Sequence, residues 1–365
     1  TTLHNIMIHH VLATFEHTPQ TLFEALSAHG YIGQDHAKRA MCLMAYRHVN
    51  RIRKWLIYDV PRAQLPAKEN YLLLGPTGCG KTYLVELLFQ KILGIPAIVV
   101  DITNFSETGY VGQDVNTILT RLLHVAEGDI DAASMGIVCI DEFDKIASGQ
   151  NSAVFSGAGT TKDVTGAGVQ RELLKMLEAS DIDLPASITH SSYGERITMN
   201  TENISFVACG AFSGFRQVLK SREQRIGFGK ETSTLPTGIA VGLSTEEVEK
   251  AVNFEAYGIM PELMGRFARI IPFSPLHAED LRRILDTSTL AKYTYELALD
   301  GIRLTVEEEV YKLIVEKAIA RETGARGLKS YVVEYLEEAC FEAYSGVYKT
   351  IRLYTQDDTI RWEVG

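Results

Sequence analysis

YLLLGPTGCGKTYLVELLFQKIL, residues 71–93, decides how the rest of this chain is read. Four apolar residues (71–74) suit a short strand buried on both faces. The run TYLVELLFQKIL that ends the stretch carries a helical pattern. Between them stands GPTGCGKT, a glycine-rich loop in the strand–loop–helix setting that a phosphate-binding loop requires. Gly75, Gly78 and Gly80 let backbone N–H groups converge on phosphate oxygens, and Pro76, Thr77 and Cys79 complete the nucleotide-binding loop. Lys81 reaches the β- and γ-phosphates, and Thr82 offers its hydroxyl to Mg²⁺. Cys79 occupies a tolerant position, where a small filler residue is all the loop needs.

Working outward, GIVCIDEFDK (136–145) is an apolar strand that ends in two carboxylates. A solvated acidic turn would look the same in isolation. With a phosphate loop some sixty residues upstream, the pair reads as catalytic: Asp141 for the Mg²⁺ shell, Glu142 to orient or deprotonate the attacking water. The cofactors expected are therefore ATP and Mg²⁺, and the reaction is ATP hydrolysis. AIVVD (97–101), ISFVA (204–208) and RIIPF (269–273) are further short apolar runs, most of them separated by helical patterns. Strands alternating with helices predict an α/β fold with a doubly wound, parallel five-stranded sheet. Residues 21–57 read as helix interrupted by the turn YIGQ. The polar stretches 148–163 and 221–240 read as long loops.

After Ser274-Pro275 the pattern turns helical, and the chain finishes with two strand-like pieces, TIRLYTQ and TIRWEVG. We expect a large ATPase domain over 1–275, including the N-terminal helical segment. A small, mainly helical α+β domain would follow over 276–365.

The bulk composition narrows the partners. The 36 basic residues are outnumbered by 46 acidic ones, giving a net charge of −10. That balance opposes a dedicated nucleic-acid or anionic-membrane binder. No apolar run approaches the length of a membrane span. The five cysteines are scattered without a CxxC pair. They suit reduced thiols in the cytoplasm or an equivalent compartment such as an organelle matrix.

Several further segments resemble the AAA+ ATPases and, within them, the ClpX family of protein unfoldases in the Clp/HslU group. YIGQDHAKRA resembles the segment that family places beside the adenine, making Tyr31, Ile32 and Gly33 candidate base contacts. GYVG (109–112) matches the first pore loop, with Tyr110 and Val111 gripping substrate. TKDVTGAGVQ resembles the second, with Lys162 and Asp163. IMPELMGR resembles the stretch ending in the arginine finger, here Arg266. ETGARGLKS matches the second sensor, with Arg326 as the γ-phosphate arginine. RIGFGK contains the tripeptide Ile226-Gly227-Phe228 by which such unfoldases dock on the ClpP peptidase. The resemblance implies a homo-hexamer that unfolds tagged or unfolded proteins through its pore and delivers them to a ClpP-type peptidase.

Each of these residues also has a plainer reading: a surface turn for Tyr110, a surface salt bridge for Arg266, a helix cap for Arg326. Ile226 and Phe228 could tuck onto their own domain. The chain departs from the family pattern in three places. It carries no cysteine-rich zinc module ahead of the ATPase core, 181–200 lack the basic pore-entrance loop, and Lys162 stands where arginine is usual. The first sensor falls somewhere within Asn203–Ala211. Two other functions stay open, a remodelling chaperone that works without ClpP and a nucleic-acid motor. The Ile-Gly-Phe tripeptide opposes the first, and the acidic balance opposes the second.

Overall fold

The computed structural model describes residues 12–106, 113–147, 164–185, 196–215, 251–346 and 348–365. They fall into two units. The first holds the described residues up to Leu26, Asp35–Pro76 and Lys81–Phe273. The second holds Ser27–Gln34, Thr77–Gly80 and Ser274–Gly365.

In the first unit the apolar runs form strands, as their composition requires. These are β1 (Tyr71–Leu74), β2 (Ala97–Asp101), the two-residue β3 (Phe105–Ser106) and β4 (Gln113–Asp114), and β5 (Ile137–Asp141). A hairpin of β6 (Asp181–Pro185) and β7 (Arg196–Asn200) follows, then β8 (Ser205–Gly210) and β9 (Arg269–Pro272). Five of them make one parallel sheet in the order β2-β5-β8-β1-β9. Every residue of β1 and β8 is buried, and of β5 all but Asp141. A parallel sheet is covered on both faces, so its strands read as unbroken apolar runs and were legible as such. Tyr71 pairs with Val207 on one side and Arg269 on the other, so β1 lies between β8 and the edge strand β9.

The helix after the loop starts as α-helix (Lys81–Val85) and continues as a wider π-helical stretch (Glu86–Ile92). Helix Asp35–Leu56 buries its apolar stripe together with His48 and Arg51. Helix Val164–Leu177 begins within TKDVTGAGVQ, the stretch that resembles the second pore loop, so its residues from Val164 on are helical.

The second unit has its own core, built on Leu281, Leu285, Ile314, Leu328, Val332 and Leu336. Its helices are Ala278–Ile284, Ala291–Leu299, Glu308–Ala320 and Gly324–Ser345. The two terminal strand-like pieces are β11 (Thr350–Gln356) and β12 (Thr359–Val364), paired antiparallel. Asp357 and Asp358 join them with φ of 49° and 55°, two consecutive left-handed residues, as a tight hairpin turn demands. A third strand, β10 (Arg303–Val306), pairs parallel to β11 and was not expected from the sequence. Among the described residues no helix is long and apolar enough to cross a membrane.

Candidate active site

In the first unit the phosphate loop leaves β1 at Gly75, whose N–H donates to the Gly210 carbonyl at 3.1 Å. A Cβ at Gly75 would stand 2.6 Å from the backbone oxygen of Phe273, so only glycine fits against β9. Lys81 is nearly buried at 8% exposure, and its ammonium donates to the carbonyls of Gly75 at 2.6 Å and Pro76 at 2.8 Å. These carbonyls hold the charge at the mouth of the loop. Thr82, one residue on, donates its hydroxyl to Asp141 Oδ2 at 2.9 Å. The contact joins the start of the helix that follows β1 to the end of β5, although β8 lies between those two strands. Two hard oxygen ligands, one hydroxyl and one carboxylate, form a donor set that fits Mg²⁺, which takes few protein ligands and keeps its waters.

Asp141 closes β5, and its Oδ1 accepts the N–H of Glu142 at 2.9 Å. Glu142 itself is left-handed, with φ 56° and ψ 31°. A residue with a side chain pays about 1 kcal/mol for that conformation. The strain turns the chain out of the strand into the short turn Phe143–Ile146. Within that turn Asp144 is buried, and its Oδ1 accepts the N–H of Ala211 just past β8 at 3.1 Å. A Cβ at Gly210 would lie 2.6 Å from the Phe212 ring and 3.0 Å from Asp144 Oδ1. The end of β8, the last part of the Asn203–Ala211 stretch expected to hold the first sensor, therefore presents Gly210 and Ala211 without a polar side chain. The polar contact there comes from Asp144 instead, two residues after Glu142.

Arg266 follows the short helix Pro261–Met264. Its guanidinium is about half exposed and pairs with Glu178 at 2.5 Å, so within its own chain it makes the surface salt bridge that was the plainer reading. Its backbone is fixed from behind. Asn70, buried just before β1, donates Nδ2 to the Arg266 carbonyl at 3.1 Å and accepts the Phe206 N–H at 3.0 Å.

In the second unit, Tyr31 is buried at 4% exposure and donates its hydroxyl to the Gly80 carbonyl at 3.1 Å. A Cβ at Gly80 would come within 2.9 Å of that hydroxyl. Ile32 and Gly33 are half-buried beside it, Gly33 with φ 75°. Cys79 is buried and Thr77 exposed. Gly78 has φ 76°, and its carbonyl accepts the N–H of Ala325 at 3.0 Å in the first turn of helix Gly324–Ser345. Arg326 follows in that same turn and is exposed. Tyr110, Val111, Lys162, Asp163, Ile226, Gly227 and Phe228 lie outside the described residues.

Sequence reasoning passed over Asn70, Asp144 and Gln170, three buried polar side chains that tie these segments together. Asp144 alone had a signal, its place two residues after Glu142.

Residues 67–270 match the family model described as AAA domain (Cdc48 subfamily). Residues 276–347 match that of the C-terminal, D2-small domain, of ClpB protein. The chain is similar to the ATP-dependent Clp protease ATP-binding subunit ClpX of Borrelia duttonii (strain Ly), with 36% identity over 354 residues, 95% of this chain and 79% of that protein. The ClpX of Treponema denticola is 37% identical over 340 residues, 90% of this chain and 78% of its own. That of Bacteroides fragilis (strain YCH46) is 36% identical over 316 residues, 85% and 74% respectively.

Proposed function

The chain belongs to the ClpX family of AAA+ ATPases, and from that premise we propose that it is an ATP-driven unfoldase and translocase feeding a ClpP-type peptidase. The observation that carries the reading is the 2.9 Å contact of Thr82 with Asp141, one residue before the strained Glu142. It joins the phosphate loop to the paired carboxylates.

Thr82 and Asp141 would hold Mg²⁺, which when bound neutralises charge on the β- and γ-phosphates. Lys81 exchanges its two loop carbonyls for phosphate oxygens, a swap between acceptors that leaves the ammonium partnered throughout. Glu142 orients the attacking water and takes its proton. Its left-handed backbone gives the carboxylate a fixed starting point, independent of the β5 direction. Arg266 leaves Glu178 to reach the nucleotide of a neighbouring subunit, so a homo-hexamer is part of the active site. Arg326 is assigned to the γ-phosphate, and Tyr31, Ile32 and Gly33 to the base.

Tyr110 and Val111 would line the axial pore, with Lys162 and Asp163 in a second loop below. A rigid aromatic face grips any polypeptide through apolar contact, without sequence preference. Ile226-Gly227-Phe228 would dock on the peptidase, six weak contacts adding by avidity. The compartment is the cytoplasm or an organelle matrix. The second reading, a remodelling chaperone independent of ClpP, leaves Ile226 and Phe228 without a partner.

The test is degradation of a tagged, stably folded substrate with a cognate ClpP. Tyr110→Ala should keep ATP hydrolysis and lose unfolding. Phe228→Ala should keep both and lose degradation and ClpP recovery in a pull-down. Equal ClpP recovery by parent and Phe228→Ala would favour the stand-alone chaperone. Equal unfolding by parent and Tyr110→Ala would return Tyr110 to the surface.

A further inference from the structure

Gln170 is fully buried in helix Val164–Leu177, at 0% exposure. Its amide is used on all sides. Nε2 donates to the Ile146 carbonyl at 2.8 Å and to the Gly258 carbonyl at 3.0 Å, and Oε1 accepts the Met260 N–H at 2.7 Å. Both amide hydrogens are thus committed, and so is the oxygen.

The three partners belong to two segments. Ile146 ends the turn Phe143–Ile146 that follows Glu142. Gly258 and Met260 lead into helix Pro261–Met264, for which Met260 is the N-cap. From there a continuous ladder runs to the arginine. Leu263 and Met264 donate to the Met260 carbonyl at 3.1 Å each, Gly265 to Pro261 at 2.9 Å, and Arg266 to Leu263 at 3.1 Å. Asn70 holds the far end through the Arg266 carbonyl. The Arg266 backbone is therefore clamped between two buried side-chain amides, one on each side.

We propose that Gln170 is a positioning residue for Arg266, setting the guanidinium at the reach needed by the neighbouring subunit's nucleotide. The proposal rests on the reading of Arg266 as acting in trans. A buried site that needed only volume would be filled more cheaply by an apolar side chain, since a buried amide is costly unless every group is paired. What the amide adds is direction. Its planar donors and acceptor fix the Met260 N–H and the Gly258 carbonyl at set angles, and the rigid ladder carries that placement to residue 266. A misplacement on the order of 1 Å at a reacting centre costs about 100-fold in rate.

Gln170→Met keeps the volume and removes all three bonds. Its kcat for ATP should fall about tenfold or more, while KM stays within about twofold. The deciding experiment mixes subunits. Glu142→Gln supplies an intact Arg266, and Arg266→Ala supplies an intact Glu142, so the mixture regains turnover where the two meet. Gln170→Met placed in the Glu142→Gln subunit, the arginine donor, should cut that regained turnover about tenfold or more. Placed in the Arg266→Ala subunit, it should leave the turnover within about twofold. Equal loss in both placements, or loss in neither, overturns the proposal. No turnover in the parent mixture would instead remove the trans reading of Arg266, and the proposal with it. Should Gln170→Met fail to assemble, the same crosses are run with Gln170→Glu, which keeps the acceptor for Met260 and regains one donor when protonated. Its deficit in the donor placement should narrow from about pH 8.5 to about pH 6, because burial raises a carboxyl pKa into that range. A deficit independent of pH and of placement would also overturn the proposal.

Discussion

Phe143 and Phe267 meet edge to face, their ring centroids 5.5 Å apart and their planes at 82°. Each is the residue immediately after a candidate catalytic group, Glu142 in one case and Arg266 in the other. The glutamate proposed for the chain's own nucleotide and the arginine proposed for the neighbour's are thus braced against each other through adjacent side chains.

An edge-to-face pair of this kind contributes about 0.5–1.5 kcal/mol beyond the area it buries. A double-mutant cycle of Phe143→Leu and Phe267→Leu, followed by urea unfolding, should return a coupling energy in that range. Additive single effects would mean the rings merely share a core.

Glu142→Gln should bind ATP as the parent does and lose about 10²–10⁴-fold in kcat, since Asp141 and Thr82 are untouched while proton removal from water is gone. Equilibrium binding of a fluorescent ATP analogue beside steady-state hydrolysis separates the two effects. Near-parental turnover would take the general-base role away from this residue.

Two left-handed glycines offer a controlled comparison. Gly30 has φ 81° and open space where a Cβ would go. Gly78 has φ 76° and would place its Cβ 2.3 Å from the Thr323 carbonyl oxygen. Gly30→Ala should cost about 1 kcal/mol, the backbone strain alone. Gly78→Ala adds a clash against backbone, worth about a further 1–3 kcal/mol, and should displace the start of helix Gly324–Ser345. Thermal melts without nucleotide report both, and similar losses in the two variants would show that the loop yields around residue 78.

His48 should shape the acid limb of stability. It is buried, with Nε2 against the Met135 carbonyl at 2.9 Å and Nδ1 against Ser205 Oγ at 3.0 Å. A carbonyl only accepts, so Nε2 carries the proton and Ser205 donates to Nδ1, leaving a neutral ring. Burial lowers its pKa to about 4, against the pull of the Met135 carbonyl, and the nearby Arg51 and Lys68 charges add to the lowering. The folded value lies below the unfolded one, so folding excludes a proton. The stability it confers is complete above about pH 6.5 and is lost as pH falls toward 4, to the extent of about 3 kcal/mol. Urea midpoints over that window should fall less steeply for His48→Gln than for the parent. Parallel pH curves would mean that the buried imidazole takes up a proton as readily as the unfolded one does.

The five strands of the main sheet were legible because burial on both faces makes them continuous apolar runs, and their bounds differ from the expected ones by no more than two residues. Strand β10 was not legible because RLTV shows the alternation of a half-buried strand over only four residues, with Leu304 and Val306 half-buried. The hairpin of β6 and β7 is equally quiet. It is laced by polar pairs, Thr198 with Asp183 and Asn200 with Asp181, that look like loop chemistry in a linear reading. The phosphate loop and the strand-end carboxylates were plain because their spacing is short and local. Asn70 and Gln170 were invisible for the opposite reason. A lone amide on a strand edge or a helix says nothing of its partners, and theirs lie 88–196 residues away, save for the Gln170 bond to Ile146.

The strand order has a consequence for biosynthesis. Strand β1, from which the phosphate loop springs, finds its two neighbours only in β8 and β9. Both are made long after it, and loop closure over such separations is slow and comes late in folding. A chain emerging from the ribosome therefore holds an intact GPTGCGKT sequence with no sheet to support it until residue 272 has cleared the exit. ATP cannot template the early fold. Ribosome-bound chains arrested before β9 should fail to retain labelled nucleotide, and the same chains extended past it should bind.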